Sequence, residues 1–295
     1  MNPVPDPAYA LTASGNLRRR QVVNRGFEGA TIAAAGLAVA VLFILVYYAA
    51  KKGIGEISVG FLTKTLPGYN GVGGGVGPVL YGSLELVLIS TAIALPVGVL
   101  TALYLAEFAN PKIAGPLRTA LELMAGLPTI VIGIFVAGLL VTTFGQSGLA
   151  GSVALAIVQV PLIARASLEA ISRVPKAIRE AADALGIARW RTVIGVILPT
   201  AANGIVTATV LAFARAAGET APLLFTTSGF GTSYQFNPLQ AVPNAPFEIW
   251  TLANSDYSAA ISKAWGLAFV LMASILLINI GARVWLRRSE RKRGL

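Results

Sequence analysis

The chain has 295 residues, of which 55% are hydrophobic and only 12% are charged, and its mean hydropathy is +0.72. These values exclude an ordinary water-soluble domain, because the apolar residues form several runs long enough to cross a bilayer. The absence of cysteine excludes disulfide and thiol chemistry, and the absence of histidine removes the commonest metal ligand and proton shuttle. We therefore predict no cofactor, no metal site and no catalytic centre.

Six apolar runs predict an all-α, polytopic membrane protein with six transmembrane helices. The first run is longer than the apolar core of a signal peptide, which is about 7–15 residues, so we interpret it as a retained span. Pro96 lies within the second run, and membrane helices tolerate proline when neighbouring groups satisfy the freed carbonyl. The predicted spans are 30–50, 81–108, 119–141, 148–164, 200–225 and 265–285.

The spans divide the chain into a polar N-terminal tail, a transmembrane domain with one prominent polar loop, and a basic C-terminal tail. The corresponding residues are 1–29, 30–286 with the loop at 165–199, and 287–295. The glycine-rich run at 71–77 is predicted to be a flexible connection. It is not a phosphate-binding loop, since no Gly-Lys-Ser/Thr follows it.

The Lys and Arg residues behind the net charge of +10 lie mostly on one side of the predicted membrane topology. The N-terminal tail, the loop at 109–118, the region 165–191 and the C-terminal end from Arg283 together hold 18 of the 23 Lys and Arg residues, and the opposite side holds only four. Cytoplasmic segments carry this excess of positive charge, so both termini and the 165–199 loop are predicted to be cytoplasmic. No nucleic-acid-binding motif accompanies the charge, and no nucleic-acid partner is predicted.

The polar segment from Glu180 to Pro199 lies between the fourth and fifth predicted spans. Good helix formers on both sides of Gly186 predict a short helix, a turn and a second short helix that stops near Pro199. Two roles fit this element. It is a docking surface for a partner, or an amphipathic helix on the membrane with Arg179, Arg189 and Arg191 toward anionic lipid.

The segment resembles the signature loop of the permease subunits of ABC importers. That signature is Glu-Ala-Ala, three residues, Gly, nine residues, an aliphatic residue, one residue, and Leu-Pro. The family usually has Ile at the aliphatic position, where this chain has Val. The matching residues are Glu180, Ala181, Ala182, Gly186, Val196, Leu198 and Pro199.

Further runs narrow the resemblance to the phosphate-uptake branch of the same family. They occur in the same order as in that branch, between about residues 77 and 283. The runs are YLAEF at 104–108, GLPTIVIGIFV at 126–136, ARAAGETAPLLFT at 214–226 and LINIGAR at 277–283.

The resemblance implies the type I ABC importer permease fold in the inner (plasma) membrane, together with a set of partners. The 180–199 segment would dock as a coupling helix on a dimer of separate ATPase subunits. A second permease subunit, related but different, would complete the translocation path, and an extracytoplasmic phosphate-binding protein would deliver the substrate. This chain carries no Walker motif, so we do not expect it to hydrolyse ATP.

Arg215 and Glu219 are the ionisable residues of the fifth predicted span. An ionisable residue in lipid costs about 2.5–3.5 kcal/mol, so such residues usually face a polar interior. Their spacing of four places them on one helix face, where they either pair to hold the bundle together or line an anion path. In the second role Arg215 holds phosphate oxygens bidentately, Glu219 competes with the anion, and Thr220 offers a hydroxyl.

Other polar positions have weaker roles in the sequence. Gly218 and Pro222 predict a helix break beside the charged pair, of the kind that transporters use near binding sites. Gln159 is predicted to form hydrogen bonds between helices, and Glu107 is predicted to lie near the lipid headgroups.

Two alternative functions remain open at this stage. One is an ABC permease of the same architecture for another oxyanion, such as phosphonate, molybdate or sulfate. The other is an ion-coupled secondary transporter that works without an ATPase, and for which Ala182 and Gly186 would be unimportant.

Overall fold

The structure, a computed structural model, is helical along most of the chain that it describes, which is residues 17–66, 68 and 72–293. Within these ranges no strand forms. The helices are α1 (Leu17–Gly53), α2 (Val59–Thr63), α3 (Gly77–Leu103), α4 (Pro111–Gly126), α5 (Thr129–Val136), α6 (Thr142–Phe144), α7 (Gly148–Ser172), α8 (Lys176–Ala184), α9 (Arg189–Thr192), α10 (Leu198–Ala217), α11 (Ala221–Thr226), α12 (Ala245–Ala253) and α13 (Ser258–Arg293).

The chain divides into two structural units, residues 1–48 and residues 49–295. α1 begins at Leu17, so the predicted N-terminal tail is helical from that residue on, and residues 1–16 lie outside the described part. α13 likewise continues past the predicted end of the last span. No proline interrupts either extension, so each helix extends beyond the limits of its apolar run.

Five helical segments are long and apolar enough to cross a bilayer, and a bent pair of helices supplies a sixth if it counts as one span. The predicted number of spans is therefore present, although several boundaries differ from the apolar runs. The five segments are Arg19–Glu56, Gly77–Phe108, Gly148–Ser172, Arg189–Ala217 and Ser258–Leu286, and the pair is Pro111–Gly126 with Thr129–Phe144.

The third predicted span is not one straight helix, and this part of the sequence interpretation was wrong. α4 ends at Gly126, and the chain turns by 97° before α5 begins at Thr129. Leu127 and Pro128 have extended backbone, with ψ of 135° and 128°. Proline disfavours helical conformation in the residue before it, so Leu127-Pro128 breaks the span.

Hydrogen bonds show which helix ends lie together in the unit formed by residues 49–295. At one end, which we call the α8 end, Arg179 of α8 bonds to Glu107 just after α3. At the other, the α12 end, Ala245 N donates to Ser83 Oγ and Ser147 N donates to Thr226 O.

This arrangement fixes the path of the broken pair. α3 and α7 both run from the α12 end to the α8 end, and α10 runs back. α4 follows the α8 end of α3, and α6 precedes the α12 end of α7. The pair α4–α5 therefore passes from one end of the bundle to the other, as a broken crossing segment rather than a re-entrant loop.

The fifth span also differs from the prediction, because no helix stops near Pro199. A helical segment runs from Arg189 through a π-helical turn at Val193–Ile197 into α10. Proline lacks an N–H and its ring clashes with the carbonyl four residues earlier, and the wide turn just before Pro199 accommodates both defects. The helix then ends at Ala217, so Arg215 lies in its last turn.

The centre of the bundle is the close packing of α3 on α7. A Cβ on Gly98 would lie 2.8 Å from Ile163 Cγ2, so glycine permits the helices to approach. Gln159 is fully buried between them and donates to Ser90 Oγ at 2.7 Å, while its carbonyl oxygen accepts from Thr91 Oγ1 at 3.0 Å. The predicted interhelical hydrogen bonding of Gln159 is thereby confirmed.

Replacement of Gln159 by Leu should destabilise the bundle, because Thr91 loses its side-chain acceptor in an apolar setting. We expect a loss of about 1–2 kcal/mol, the range found for hydrogen bonds between membrane helices. Thermal unfolding in detergent measures it. Asn279→Leu is the control, since the Asn279 amide donates within its own helix, to the carbonyl of Ile275, and its loss should shift the midpoint less. Equal shifts would contradict the bridging role.

The segments at the α12 end are ordered wherever the structure describes them. The described part of the glycine-rich run, residues 72–77, is not a loose connection: Gly75 N donates to Thr65 O, and a Cβ on Gly75 would lie 2.4 Å from two carbonyl oxygens. The long segment after α11 contains α12 and is held by buried Thr227, which both donates to and accepts from the backbone of Val242. Buried hydrogen bonds therefore hold the later segment, and the predicted flexible connection is wrong for residues 72–77 of the earlier one.

Candidate functional site

The predicted helix–turn–helix forms at the α8 end of the bundle. α8 ends in a Schellman motif, in which Gly186 N donates to Asp183 O and Ile187 N donates to Ala182 O, both at 3.0 Å. Gly186 has a φ of +68°, in the left-handed region that residues with a Cβ disfavour. Apart from its chain neighbours, a Cβ at Gly186 would meet no atom of the described residues within 4 Å. Backbone conformation, rather than space, therefore requires glycine here.

The turn presents an apolar surface away from the bundle. The exposed fractions are 77% for Leu185, 41% for Ile187 and 56% for Trp190. An exposed apolar cluster between polar residues is typical of a protein interface or a membrane-contact surface. Of the seven motif residues, Glu180, Ala181, Gly186, Val196 and Pro199 are exposed, Leu198 is half-buried and Ala182 is buried.

Arg179, directly before the motif, joins the loop to the bundle. Its guanidinium donates twice to Glu107 Oε1, at 2.7 and 3.0 Å, and also to the carbonyls of Ile171 and Val174 at 3.1 and 2.6 Å. The side chain of Glu107 is only 1% exposed. Glu107 is thus buried in an ion pair at the α8 end of the bundle, and Arg179 points into the protein rather than toward lipid.

Arg215 and Glu219 are adjacent at the end of α10, as their spacing predicts. Arg215 Nε lies 3.5 Å from Glu219 Oε1. The guanidinium side chain is 55% exposed and the carboxylate side chain 17% exposed, so the arginine keeps most of its surface free for another ligand. A cation in the last turn of a helix is also favoured by the helix dipole. The predicted break follows at once, because α10 ends at Ala217 and α11 begins at Ala221.

The break between α4 and α5 lies beside the break between α10 and α11, next to Arg215. A cavity of about 20 Å³ joins Arg215 to Leu127 and Thr129 at the α4–α5 break. α5 touches α11 backbone to backbone, since a Cβ on Gly133 would lie 2.7 Å from Pro222 Cα. Thr129 lines this cavity. Thr220 is half-buried and is not among the lining residues.

Sequence reasoning missed two features of these sites. The Gly126-Leu127-Pro128 run was treated as part of a continuous span, although Gly-x-Pro is a recognisable signal for a helix break. The pairing of Glu107 with Arg179 had no local signal, because the two residues are 72 positions apart.

Comparison with known proteins places the chain in a family. Residues 94–294 match the family model described as "Binding-protein-dependent transport system inner membrane component". The chain belongs to this family. It is a multi-pass membrane protein, since several of its helical segments are long and apolar enough to cross a bilayer.

Relatives within this family carry a more specific description. The chain is 38% identical over 255 residues to the "Probable phosphate transport system permease protein PstA" of Methanocaldococcus jannaschii, covering 85% of this chain and 89% of the relative. It is 36% identical over 248 residues to the "Phosphate transport system permease protein PstA" of Yersinia pestis, covering 82% and 83%. The chain is therefore a binding-protein-dependent permease similar to PstA.

Solved structures of importers share the fold of this family member. A chain of the methionine ABC transporter MetNI, in an inward-facing conformation, aligns with a TM-score of 0.59 at 17% identity, covering 70% of this chain and 93% of that one. A chain of a bacterial alginate ABC transporter aligns with a TM-score of 0.59 at 15% identity, covering 94% and 98%. The predicted all-α, type I ABC importer permease fold is confirmed.

Proposed function

We propose that the chain is the transmembrane permease subunit of an ATP-driven importer of inorganic phosphate. The names of the relatives in Methanocaldococcus jannaschii and Yersinia pestis specify phosphate transport, and the similarity covers more than four fifths of this chain. The fold supports the same class of transporter. The chain supplies the membrane path, and a separate subunit hydrolyses ATP.

The observation that carries the proposal is the position of Arg215 at the junction of two broken helices. Broken helices expose unpaired backbone groups, and transporters place substrate sites beside them. Arg215 stays charged at any physiological pH and binds phosphate oxygens through two parallel N–H groups. Glu219, at 3.5 Å, competes with the anion for the guanidinium and thereby favours its release. The hydroxyl of Thr129, which lines the cavity beside Arg215, is better placed than that of Thr220 to contact a substrate there.

The turn after α8 is the docking site for an ATPase subunit. Its apolar residues Leu185, Ile187 and Trp190 are exposed at the end of the bundle that holds the positively charged loops. Arg118 and Arg165, from two of the segments predicted to be cytoplasmic, line one cleft at this same end. The positive-inside rule then makes the α8 end cytoplasmic, which is where an ATPase operates.

Replacement of Gly186 by Leu should weaken ATPase binding without preventing insertion. The left-handed φ costs a residue with a Cβ roughly 1–2 kcal/mol, so the Schellman motif opens and the docking surface loses its shape. Gly186→Asn is the matched control, because asparagine tolerates this conformation better. Co-purification of the ATPase with each variant measures the effect. Normal association of the Leu variant would contradict the docking role.

The remaining partners follow from the same assignment. A second permease subunit, related but different, faces the exposed side of Arg215 and closes the path. Two ATPase subunits bind the permease pair, and a phosphate-binding protein docks at the α12 end, outside the inner membrane. Both termini and the 165–199 loop are cytoplasmic.

Reconstitution of the complete assembly in lipid vesicles tests the function. We expect uptake of labelled phosphate that requires ATP and the phosphate-binding protein. Sulfate, molybdate and phosphonate serve as competitors, and stronger competition by one of them would transfer the proposal to that oxyanion. Uptake by this chain alone, driven by an ion gradient, would establish a secondary transporter instead.

A further inference from the structure

The contact between Glu107 and Arg179 is a buried, charged connection between the loop and the spans. Glu107 lies in a π-helical turn, Tyr104–Phe108, directly after α3. Its side chain is 1% exposed and that of Arg179 is 21% exposed. Arg189 adds a weaker contact, with Nη2 3.8 Å from Glu107 Oε2 and a side chain that is 61% exposed.

The four hydrogen bonds of Arg179 connect three separate elements. Two reach Glu107 after α3, and two reach the carbonyls of Ile171 in α7 and Val174 directly after it. These carbonyls lie at the C-terminal end of α7 and just after it, where a helix has few N–H partners left to offer, and Ile171 O also accepts from Val174 N at 3.2 Å. One guanidinium thus joins α8 to the ends of α3 and α7, the two helices that form the centre of the bundle.

Apolar contacts hold α8 to the bundle only weakly. Ala182 is the single buried residue of α8, and Ile178 packs at the edge of an apolar cluster that includes Leu103, Ile171 and Val193. Such contacts resist separation but have little directional preference. The hydrogen bonds of Arg179 are directional, so they fix the angle and position of α8 against the spans.

Stability alone does not explain a charged pair at this place. Replacement of a buried ion pair by apolar residues of similar volume is often neutral or stabilising, so the pair is weak evidence for a purely structural role. A directional link is useful where one element must move another. α8 carries the Glu180–Ala182 motif, and Arg179 is the residue immediately before it.

We propose that Glu107 and Arg179 form a salt bridge that stays closed during transport and makes the ends of α3 and α7 move with α8. Glu107 and Arg179 are positioning residues that act through the loop. The proposal rests on the proposed function, because it requires that a partner ATPase displaces α8. Beyond that function, it names the two residues that transmit the displacement and the two helices that move in response.

The test compares uptake per ATP hydrolysed in the reconstituted assembly. For Glu107→Gln and Arg179→Gln we expect ATP hydrolysis to remain within about two-fold of wild type while uptake per ATP falls about ten-fold, because an interaction acting only on the coupling step is lost. Arg173→Gln is the control. It breaks an exposed ion pair with Glu169 on α7, whose side chains are 77% and 67% exposed, and should leave uptake per ATP unchanged. Unchanged coupling in both test variants would overturn the proposal.

A double variant distinguishes the effect of the salt bridge from the effect of side-chain packing. Glu107→Met with Arg179→Met keeps the volume and removes the unpaired buried charge, so we expect the chain to insert and to unfold at about the wild-type temperature. Uptake per ATP should still fall. Wild-type coupling in this variant would show that packing suffices, and would overturn the proposal.

A reversible cross-link tests the same point within one folded protein. The chain has no cysteine, so Glu107→Cys with Arg179→Cys supplies two unique thiols for this subunit. A short, reducible bis-thiosulfonate reagent should restore uptake per ATP, and its reduction should abolish the gain. A cross-link that blocks uptake would show that the pair opens during the cycle, contrary to the proposal. Loss of phosphate uptake in the wild-type assembly would instead contradict the proposed function.

Discussion

Replacement of Arg215 by Gln is expected to reduce phosphate uptake by roughly 10- to 100-fold. Hydrogen bonds to a charged group contribute about 1.5–3 kcal/mol each, and Gln retains neither the charge nor the fork of donors. The initial rate of uptake in vesicles that contain the complete assembly measures the loss. Arg215→Lys keeps the charge without the bidentate geometry and should give an intermediate rate. Normal uptake by the Gln variant would remove Arg215 from the path.

A second ion pair in the same chain provides the matched control. Arg173 and Glu169 are also four residues apart and are paired at 2.5 Å, but they lie at the α8 end. Arg173→Gln removes a comparable charge and should leave uptake unchanged. Glu219→Gln should lower the phosphate concentration at half-maximal uptake and also lower the maximal rate, because the anion then has no competing carboxylate. A higher half-maximal concentration would contradict the role of Glu219 in release.

Replacement of Gly133 by Val is expected to stop most phosphate uptake by forcing the two broken helices apart. A Cβ on Gly133 would lie 2.7 Å from Cα and 3.1 Å from O of Pro222, and backbone atoms cannot rotate away as a side chain does. Overpacking of this kind costs about 1–3 kcal/mol, so we expect roughly a ten-fold loss of uptake as the substrate site is distorted. Uptake and thermal unfolding should be measured on the same preparation.

Gly138→Val is the control for this change. Gly138 follows α5 in the same helical segment, and a Cβ there would meet nothing within 4 Å among the described residues outside its own stretch of helix. The control adds the same β-branched side chain without the clash, so it should retain uptake. If Gly133→Val transports as well as Gly138→Val, the contact between α5 and α11 does not position the site.

The apolar runs were sufficient to predict the helical class and the number of spans, because burial in lipid depends on local composition. The apolar runs did not predict correctly where the helices begin and end. The helix at Leu17 begins well before the apolar run, and the helical segment from Arg189 continues through Pro199. Hydrophobicity decides which residues enter the membrane, whereas backbone hydrogen bonding decides where a helix stops. A π-helical turn resolves the conflict at Pro199, and the sequence contained no clear signal for it.

The sequence by itself determined the helix before Gly186, the turn at Gly186 and the adjacency of Arg215 and Glu219, since each depends on residues a few positions apart. Only the tertiary structure brought the break at Leu127-Pro128 beside Arg215 and buried Glu107 against Arg179. Those contacts join parts of the chain that are distant in sequence. They depend on how α3, α5, α7 and α11 pack, and no local propensity encodes that packing.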